Sequence, residues 1–336
     1  MNSKERVFSV ITGKEPDRPP VVFTLSLYGS KLINVPPEIY YTNYNEYVRG
    51  QAAVINQIEP DILLAPFALS YEGAAFGSEI TYLNHGVPNI KKPAFKNISD
   101  MLNIKIPDID TDKHILYIRN SVKLLKQEFG DSFPIAAIVT SPIDLPILLL
   151  GLDLWLETIL FNKDAAKIIS DITAEFCIRY ANALIDGGAD LIVMPGEFWN
   201  PRIVSKDIAI QYALPLFIRT FPQIKAPIVL HSGGNPISPI DLYVQVPNVI
   251  AFLLSKMDSF ADARKIAGKE RLLMGNMEGT HLFNLNEQTI EKICYKILED
   301  TNNDTNFIFA TAGADIQYDT DINKIILVKK IMSQRR

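Results

Sequence analysis

Cysteine and histidine are scarce in this chain, with two of the first and four of the second in 336 residues. Two cysteines exclude a disulfide framework. Both Cys177 and Cys294 sit in helix-like patterns, AEFCIRYANALI and IEKICYKILED, where a thiol serves as a small buried apolar group. Lysine and arginine are scattered rather than striped and the formal net charge is -5, which excludes a phosphate-tracking surface and a nucleic-acid partner. No apolar h-region follows the first six residues, so no secretory signal is expected. The longest apolar stretch, Pro142 to Phe161, is broken by Asp144, Asp153 and Glu157, which a membrane span tolerates poorly. A cytoplasmic protein without a membrane partner is the expectation. There is no Gly-x-Ser-x-Gly elbow, no Walker A loop and no strand-to-helix Gly-x-Gly-x-x-Gly turn, which argues against serine hydrolysis, nucleotide phosphoryl transfer and a dinucleotide site.

Apolar residues, by contrast, are plentiful at 48% of the chain, and no Gly/Ser-rich or Pro-rich linker divides them, so one domain over residues 1–336 is expected. Eight short β-rich runs recur: PVVFTLS (20–26), DILLAPF (61–67), PIAAIVT (134–140), DLIVMPG (190–196), PIVLHSG (227–233), VIAFLLS (249–255), RLLMGNM (271–277) and NFIFATA (306–312). Most are apolar throughout rather than alternating, as strands buried on both faces of a parallel sheet must be. Helical patterns lie between them, at Asn45 to Ile58, Ile115 to Phe129, Asp164 to Asp186, Lys206 to Phe221, Ser259 to Ala267, Asn286 to Glu299 and Asp319 to Met332. The α/β alternation predicts a (β/α)8 TIM barrel, with a doubly wound open sheet as runner-up. A helical extension (Ser3 to Thr12) precedes the first strand, and an insertion after strand two, from SEITYLN (78–84) to Asp110, reads as a hairpin and cap over the strand ends.

In a barrel the active site forms at the C-terminal ends of the strands. Polar residues at those ends include Tyr28, Glu72, Thr140, Glu197, His231, Asn235, Asn276, Glu278 and Asp315, all expected to converge on one cavity. His231 stands out, because it ends an aliphatic strand and is followed by Ser232-Gly233-Gly234-Asn235. Three roles are open to it: a neutral core histidine tied to a carboxylate, a metal-free acid or base, or a ligand, with Glu197 and Asp315, in a three-ligand divalent metal site. Glu197, flanked by Phe198 and Trp199, is a candidate ligand or general base. Asp61 opens the second strand, where a carboxylate commonly satisfies backbone at the barrel floor.

Several motifs in register resemble the uroporphyrinogen decarboxylase superfamily, and more closely its corrinoid-linked methylcobamide:coenzyme M methyltransferase-like branch. They are KERVFSVITGKEPDRPPV at the start, APFALSYEGAAFGSEI with Glu72, GGADLIVMP, ALP at 213–215, IVLHSGGN, LLMGNMEGT, and Asp319-Thr320. The resemblance spans nearly the whole chain and implies a barrel fold, a corrinoid on a partner protein and a zinc site. That branch carries His-x-Cys-Gly-Asn at strand five and Gly-Cys-Gly before the terminal Asp-Thr. Here Gly233 and Ala314 stand where those cysteines would be, leaving His231 as the retained ligand of a lost zinc site. The decarboxylase's arginines after strand one are also missing, with only Lys31 in VVFTLSLYGSKLI, although Asp61 falls where its catalytic aspartate is expected.

The resemblance therefore implies a methyltransferase-like enzyme that moves a methyl group between a small methylated substrate, an O-methyl compound among the candidates, and a protein-bound corrinoid. His231, Glu197 and Asp61 are the catalytic candidates. Tyr28, Glu72, Asn235, Asn276 and Glu278 are the substrate-binding candidates, and any remaining zinc or other divalent metal would fall to His231, Glu197 and Asp315. The alternatives are a non-catalytic tetrapyrrole- or corrinoid-binding barrel, and tetrapyrrole decarboxylation.

Overall fold

A computed structural model describes residues 1–197, 203–231, 240–302 and 304–334. Each of the eight expected runs contains a strand: β1 (Val21–Val22), β2 (Leu63–Leu64), β5 (Ile135–Ile138), β6 (Leu191–Pro195), β7 (Ile228–His231), β8 (Val249–Leu253), β9 (Leu272–Glu278) and β10 (Phe307–Ala312), with β3 (Glu79–Leu83) and β4 (Gly86–Lys92) making a separate antiparallel hairpin. The eight pair in parallel in the order β1-β10-β9-β8-β7-β6-β5-β2. The two edge strands of that order meet: the Asp61 N–H donates to the Val21 carbonyl at 2.8 Å, and the Val21 N–H donates to Asp61 Oδ2 at 2.7 Å. The sheet is a (β/α)8 barrel.

Both faces of the strands are buried, which explains their continuous apolarity. Along β5, Ala136 and Ile138 join an inner cluster with Leu64, Leu191, Val229, Leu253, Met274 and Ala310. Ile135 and Ala137 face the other way, into the larger cluster shared with the surrounding helices. The N-terminal helix (Ser3–Ile11) begins with an Asn2/Glu5 capping box. Its Val7 and Val10 complete the inner cluster, so the helix plugs the barrel at the end where the strands begin.

Asp61 fastens this end. Its carboxylate, fully buried, accepts from Arg6 Nη1 of the plug helix at 2.7 Å, from Arg18 Nη1 at 2.7 Å and from Ser3 Oγ at 2.9 Å. Lys329 of the last helix (Ile322–Met332) lies 3.4 Å away. Burial opposes ionisation here, but the Arg18 hydrogen bond and the neighbouring cations outweigh it and hold the acid below its usual range.

Two local features differ from the sequence pattern. The apolar stretch 142–161 is two helices, Leu145–Leu150 and Leu152–Phe161, parted by Gly151 at φ +84°. The expected helix from Lys206 contains a π turn at Ala209–Ala213. Pro215 lies just beyond it; it has no N–H for the α-helical ladder and its ring crowds the preceding turn. The hairpin after β2 reaches the segment following β10, where His85 stacks on Tyr318 and pairs with Asp319 at 2.9 Å. No helix among the described residues is long and apolar enough to cross a membrane.

Replacing Asp61 with Asn leaves Arg18 and Lys329 without their carboxylate at the barrel seam, and Arg6 with Asp17 alone, and is expected to cost about 3 to 5 kcal/mol of stability, read as a lower midpoint in urea unfolding. Because the folded acid titrates below its unfolded value of 3.8, its contribution is complete above that pH and lost as pH falls below it. The variant should therefore lose less additional stability than wild type on acidification through this range. An unchanged midpoint would refute the clamp.

Candidate functional site

Inward-facing residues near the C-terminal ends of the strands line a cavity inside the barrel: Thr24, Phe67, Pro195, His231, Thr311 and Gly313 toward the strand ends, with Val22, Leu64, Ile138, Val229 and Met274 among those deeper in. The period-two alternation of β7 sets this up, since Leu230 joins the outer cluster while Val229 and His231 line the cavity. Its register places His231 beside Pro195 of β6, and the Gly196 N–H donates to the His231 carbonyl at 3.1 Å.

The imidazole of His231 is held from across the barrel. The Gly313 N–H, just past β10, donates to His231 Nε2 at 3.1 Å. Gly313 occupies φ +84°, a conformation that favours glycine, and a Cβ there would stand 2.6 Å from Glu278 Oε1, so glycine presents that N–H without strain. Burial pushes the ring's pKa down to about 4, leaving it neutral at neutral pH. An acceptor role for Nε2 puts the ring proton on Nδ1.

The strand-end residues do not all converge. Glu278 lies against Gly313 and accepts from Thr280 Oγ1 at 3.0 Å. Glu197 follows β6 two residues beyond the neighbour of His231, and its N–H donates to Asp144 Oδ1 at 2.9 Å. Glu72 instead points to the β5 exit, where Oε1 accepts the Thr140 N–H at 2.8 Å. Tyr28 donates its hydroxyl to the Thr320 carbonyl at 2.7 Å, and Asn276 Nδ2 donates to the Asp258 carbonyl at 3.2 Å. None of these five lines the cavity among its described residues. Asn235, with Ser232, Gly233 and Gly234, lies outside the described residues, as does Trp199.

Two expectations need correction. Asp61 is at the opposite end of the barrel from His231, saturated by Arg6, Arg18, Ser3 and the Val21 N–H, so it is placed to close the barrel rather than to meet a substrate. The metal trio of His231, Glu197 and Asp315 is not assembled: among the described residues no three His, Cys, Asp or Glu side chains gather as a metal site. Asp315 turns onto backbone, accepting the Leu27 N–H at 3.2 Å, and burial raises its carboxyl to about 8, with the Leu27 and Ser26 amides easing it. Nor are thiolates at hand, since Cys177 and Cys294 are buried in helices and burial pushes both thiols up, Cys294 to about 12. A thiolate zinc centre does not fit these residues.

Two site groups escaped the sequence. Asp144 figured there only as an interruption of an apolar stretch, yet it is buried past β5, binds the Ser141 hydroxyl and holds the Glu197 N–H, tying two strand exits together. A serine and an aspartate three apart directly after a strand were the available signal. Gly313 gave no signal beyond being a glycine at a strand exit, because its role belongs to its backbone.

Comparison with known proteins places these features in context. The profile of the uroporphyrinogen decarboxylase (URO-D) family matches residues 2–333. The methylcobamide:CoM methyltransferase MtbA of Methanosarcina mazei is 25% identical over 242 residues, covering 70% of this chain and 69% of that protein. The methylcobamide:CoM methyltransferase MtaA of Methanosarcina barkeri is 22% identical over 302 residues, 86% of each chain. A solved methyltransferase from Methanosarcina mazei superposes with a TM-score of 0.87 at 18% identity, covering 99% of this chain and 98% of that one, which establishes a shared fold.

Glu72 gives a pH test of the site's low polarity. Burial raises its carboxyl from 4.5 to about 8, partly offset by the Thr140 N–H. The unfolded chain releases this proton at lower pH than the folded one, so stability falls as pH rises between those values. Glu72→Gln should raise the melting temperature near neutral pH and make that fall shallower, with Asp315 supplying the remaining slope. A steeper fall in the variant would contradict the burial argument.

Proposed function

The chain belongs to the uroporphyrinogen decarboxylase family, and from that premise we propose that it is a corrinoid-linked methyltransferase, working as one barrel domain on a small, uncharged methylated compound. One observation carries this choice within the family: the cavity is walled by aliphatic side chains, two threonines and a neutral imidazole, with no lysine or arginine among its described lining residues. A substrate bearing many carboxylates needs cationic partners to leave water. A methyl group beside a neutral oxygen or other heteroatom does not. Tetrapyrrole decarboxylation is correspondingly disfavoured, all the more because Asp61 is committed to the barrel floor.

A corrinoid presented by a partner protein would supply the cobalt that accepts or donates the methyl group. The chain's own residues have the remaining tasks. Val22, Leu64, Ile138, Val193 and Val229 exclude water around the methyl carbon. Thr311 is fixed by the Thr24 N–H, which donates to its Oγ1 at 2.9 Å, so these two residues form a rigid polar edge. As the carbon–heteroatom bond breaks, the electron pair stays on the heteroatom. His231 Nδ1–H is the group suited to stabilise it by hydrogen bonding. A ring with a pKa near 4 is neutral at working pH and acts as a hydrogen-bond donor rather than as an imidazolium acid. Glu197, just past β6, and Glu278, at the end of β9, are proposed to border the substrate.

The relatives named as methylcobamide:CoM methyltransferases support this class of reaction. A direct assay mixes the purified protein with cob(I)alamin and a panel of methyl ethers, methanol, methylamines and methyl sulfides, and follows formation of methylcob(III)alamin by its visible spectrum. Methylation by at least one donor is expected, slowed on the order of 100-fold in His231→Ala. Turnover of uroporphyrinogen with no methyl transfer would overturn the proposal in favour of decarboxylation. Silence in both assays, with corrinoid binding retained, would favour a non-catalytic binding barrel.

A further inference from the structure

The position of Gly313 bears on what His231 can bind. A metal on Nε2 would displace the Gly313 N–H, which sits 3.1 Å from that atom and has its acceptor there. A metal on Nδ1 would require the neutral ring to carry its proton on Nε2, so that two donors faced each other across the same gap. The hydrogen bond is thus incompatible with metal on either ring nitrogen.

The loop that presents Gly313 is itself pinned on both sides. The Ile316 N–H donates to the Thr24 carbonyl at 2.9 Å. Asp315 Oδ1 accepts the Leu27 N–H. On the other side, Ala312 pairs with Glu278 in the β10–β9 ladder. Ala314, where the resembling methyltransferases place their second cysteine, is exposed within this loop and brings no donor atom. Nδ1 of His231 has no hydrogen-bond partner among the described residues, and the ring lines the cavity.

We infer that the backbone N–H of Gly313 has taken the place of the metal: it fixes His231 as the Nδ1-protonated tautomer, a neutral hydrogen-bond donor for a ligand heteroatom, with no divalent ion on the ring. The inference builds on the methyl-transfer proposal, giving the site a substrate class with a lone pair to offer, such as an ether or alcohol oxygen. It is tested on the resting protein, so its outcome is separate from whether turnover is found.

The protein is labelled with 15N at its histidines and the ring resonances are read from two-bond proton–nitrogen correlations, His231 being assigned by its absence in His231→Gln. The expected pattern has the unprotonated, pyridine-type nitrogen correlated with both ring protons, which identifies it as Nε2, and it is unchanged by zinc chloride or a chelator. Protonation on Nε2, or a stoichiometric zinc-dependent shift of the His231 signals, would overturn the inference. Elemental analysis supplies a second measurement that needs no variant. Purified wild type grown with added zinc should hold no stoichiometric metal after dialysis, and one zinc per chain that competes with the Gly313 hydrogen bond in the same spectra would refute it.

Discussion

The buried carboxylate of Asp61 holds the closed barrel together. A parallel sheet closes only if its first and last strands meet, and here β1 and β2 are short and joined at the seam by a reciprocal pair of bonds through one residue. The same carboxylate gathers cations from the plug helix, the segment before β1 and the last helix, so both ends of the chain are fastened where the strands begin. An acid this buried persists as an anion because several donors converge on it. The strand exits depend on that closure, because residues from β7 and β10 come within hydrogen-bonding distance only across a closed barrel.

At the strand exits the electrostatics are reversed. Asp61 is buried among cations and stays charged, whereas His231, Glu72 and Asp315 are buried among apolar groups and amides and are driven toward their neutral forms. One barrel thus has a charged, structural floor and, at its strand exits, buried groups driven toward neutrality. Beside the neutral His231 ring, the Gly313 N–H is the hydrogen-bond donor that the described residues supply.

How far the sequence was legible follows from the range of the forces involved. The eight strand runs could be read because burial on both faces leaves a local record of continuous apolarity, and the helices because caps and periodicity are local too. The two helices within 142–161 were hidden by a predominantly apolar composition that carries no clear period, and the π turn near Pro215 by a ladder defect that composition does not display. Asp61 drew attention for its place in a motif, but the cations that define its role come from positions 6, 18 and 329, far apart in the chain. His231 was conspicuous for ending an aliphatic strand, and the structure does line the cavity with it.

By itself, the sequence determined the barrel, its N-terminal helix and hairpin insertion, the family to which the chain belongs, and the loss of the cysteines that a thiolate metal site requires. All of these are matters of residue identity and near-neighbour spacing. Only the tertiary structure decided that Asp61 belongs to the floor, that Asp315 turns away onto Leu27, and that His231 is capped by a backbone amide 82 positions later. Those outcomes depend on hydrogen bonds between distant segments, including one from a glycine backbone, and a backbone donor leaves no mark in the side-chain sequence.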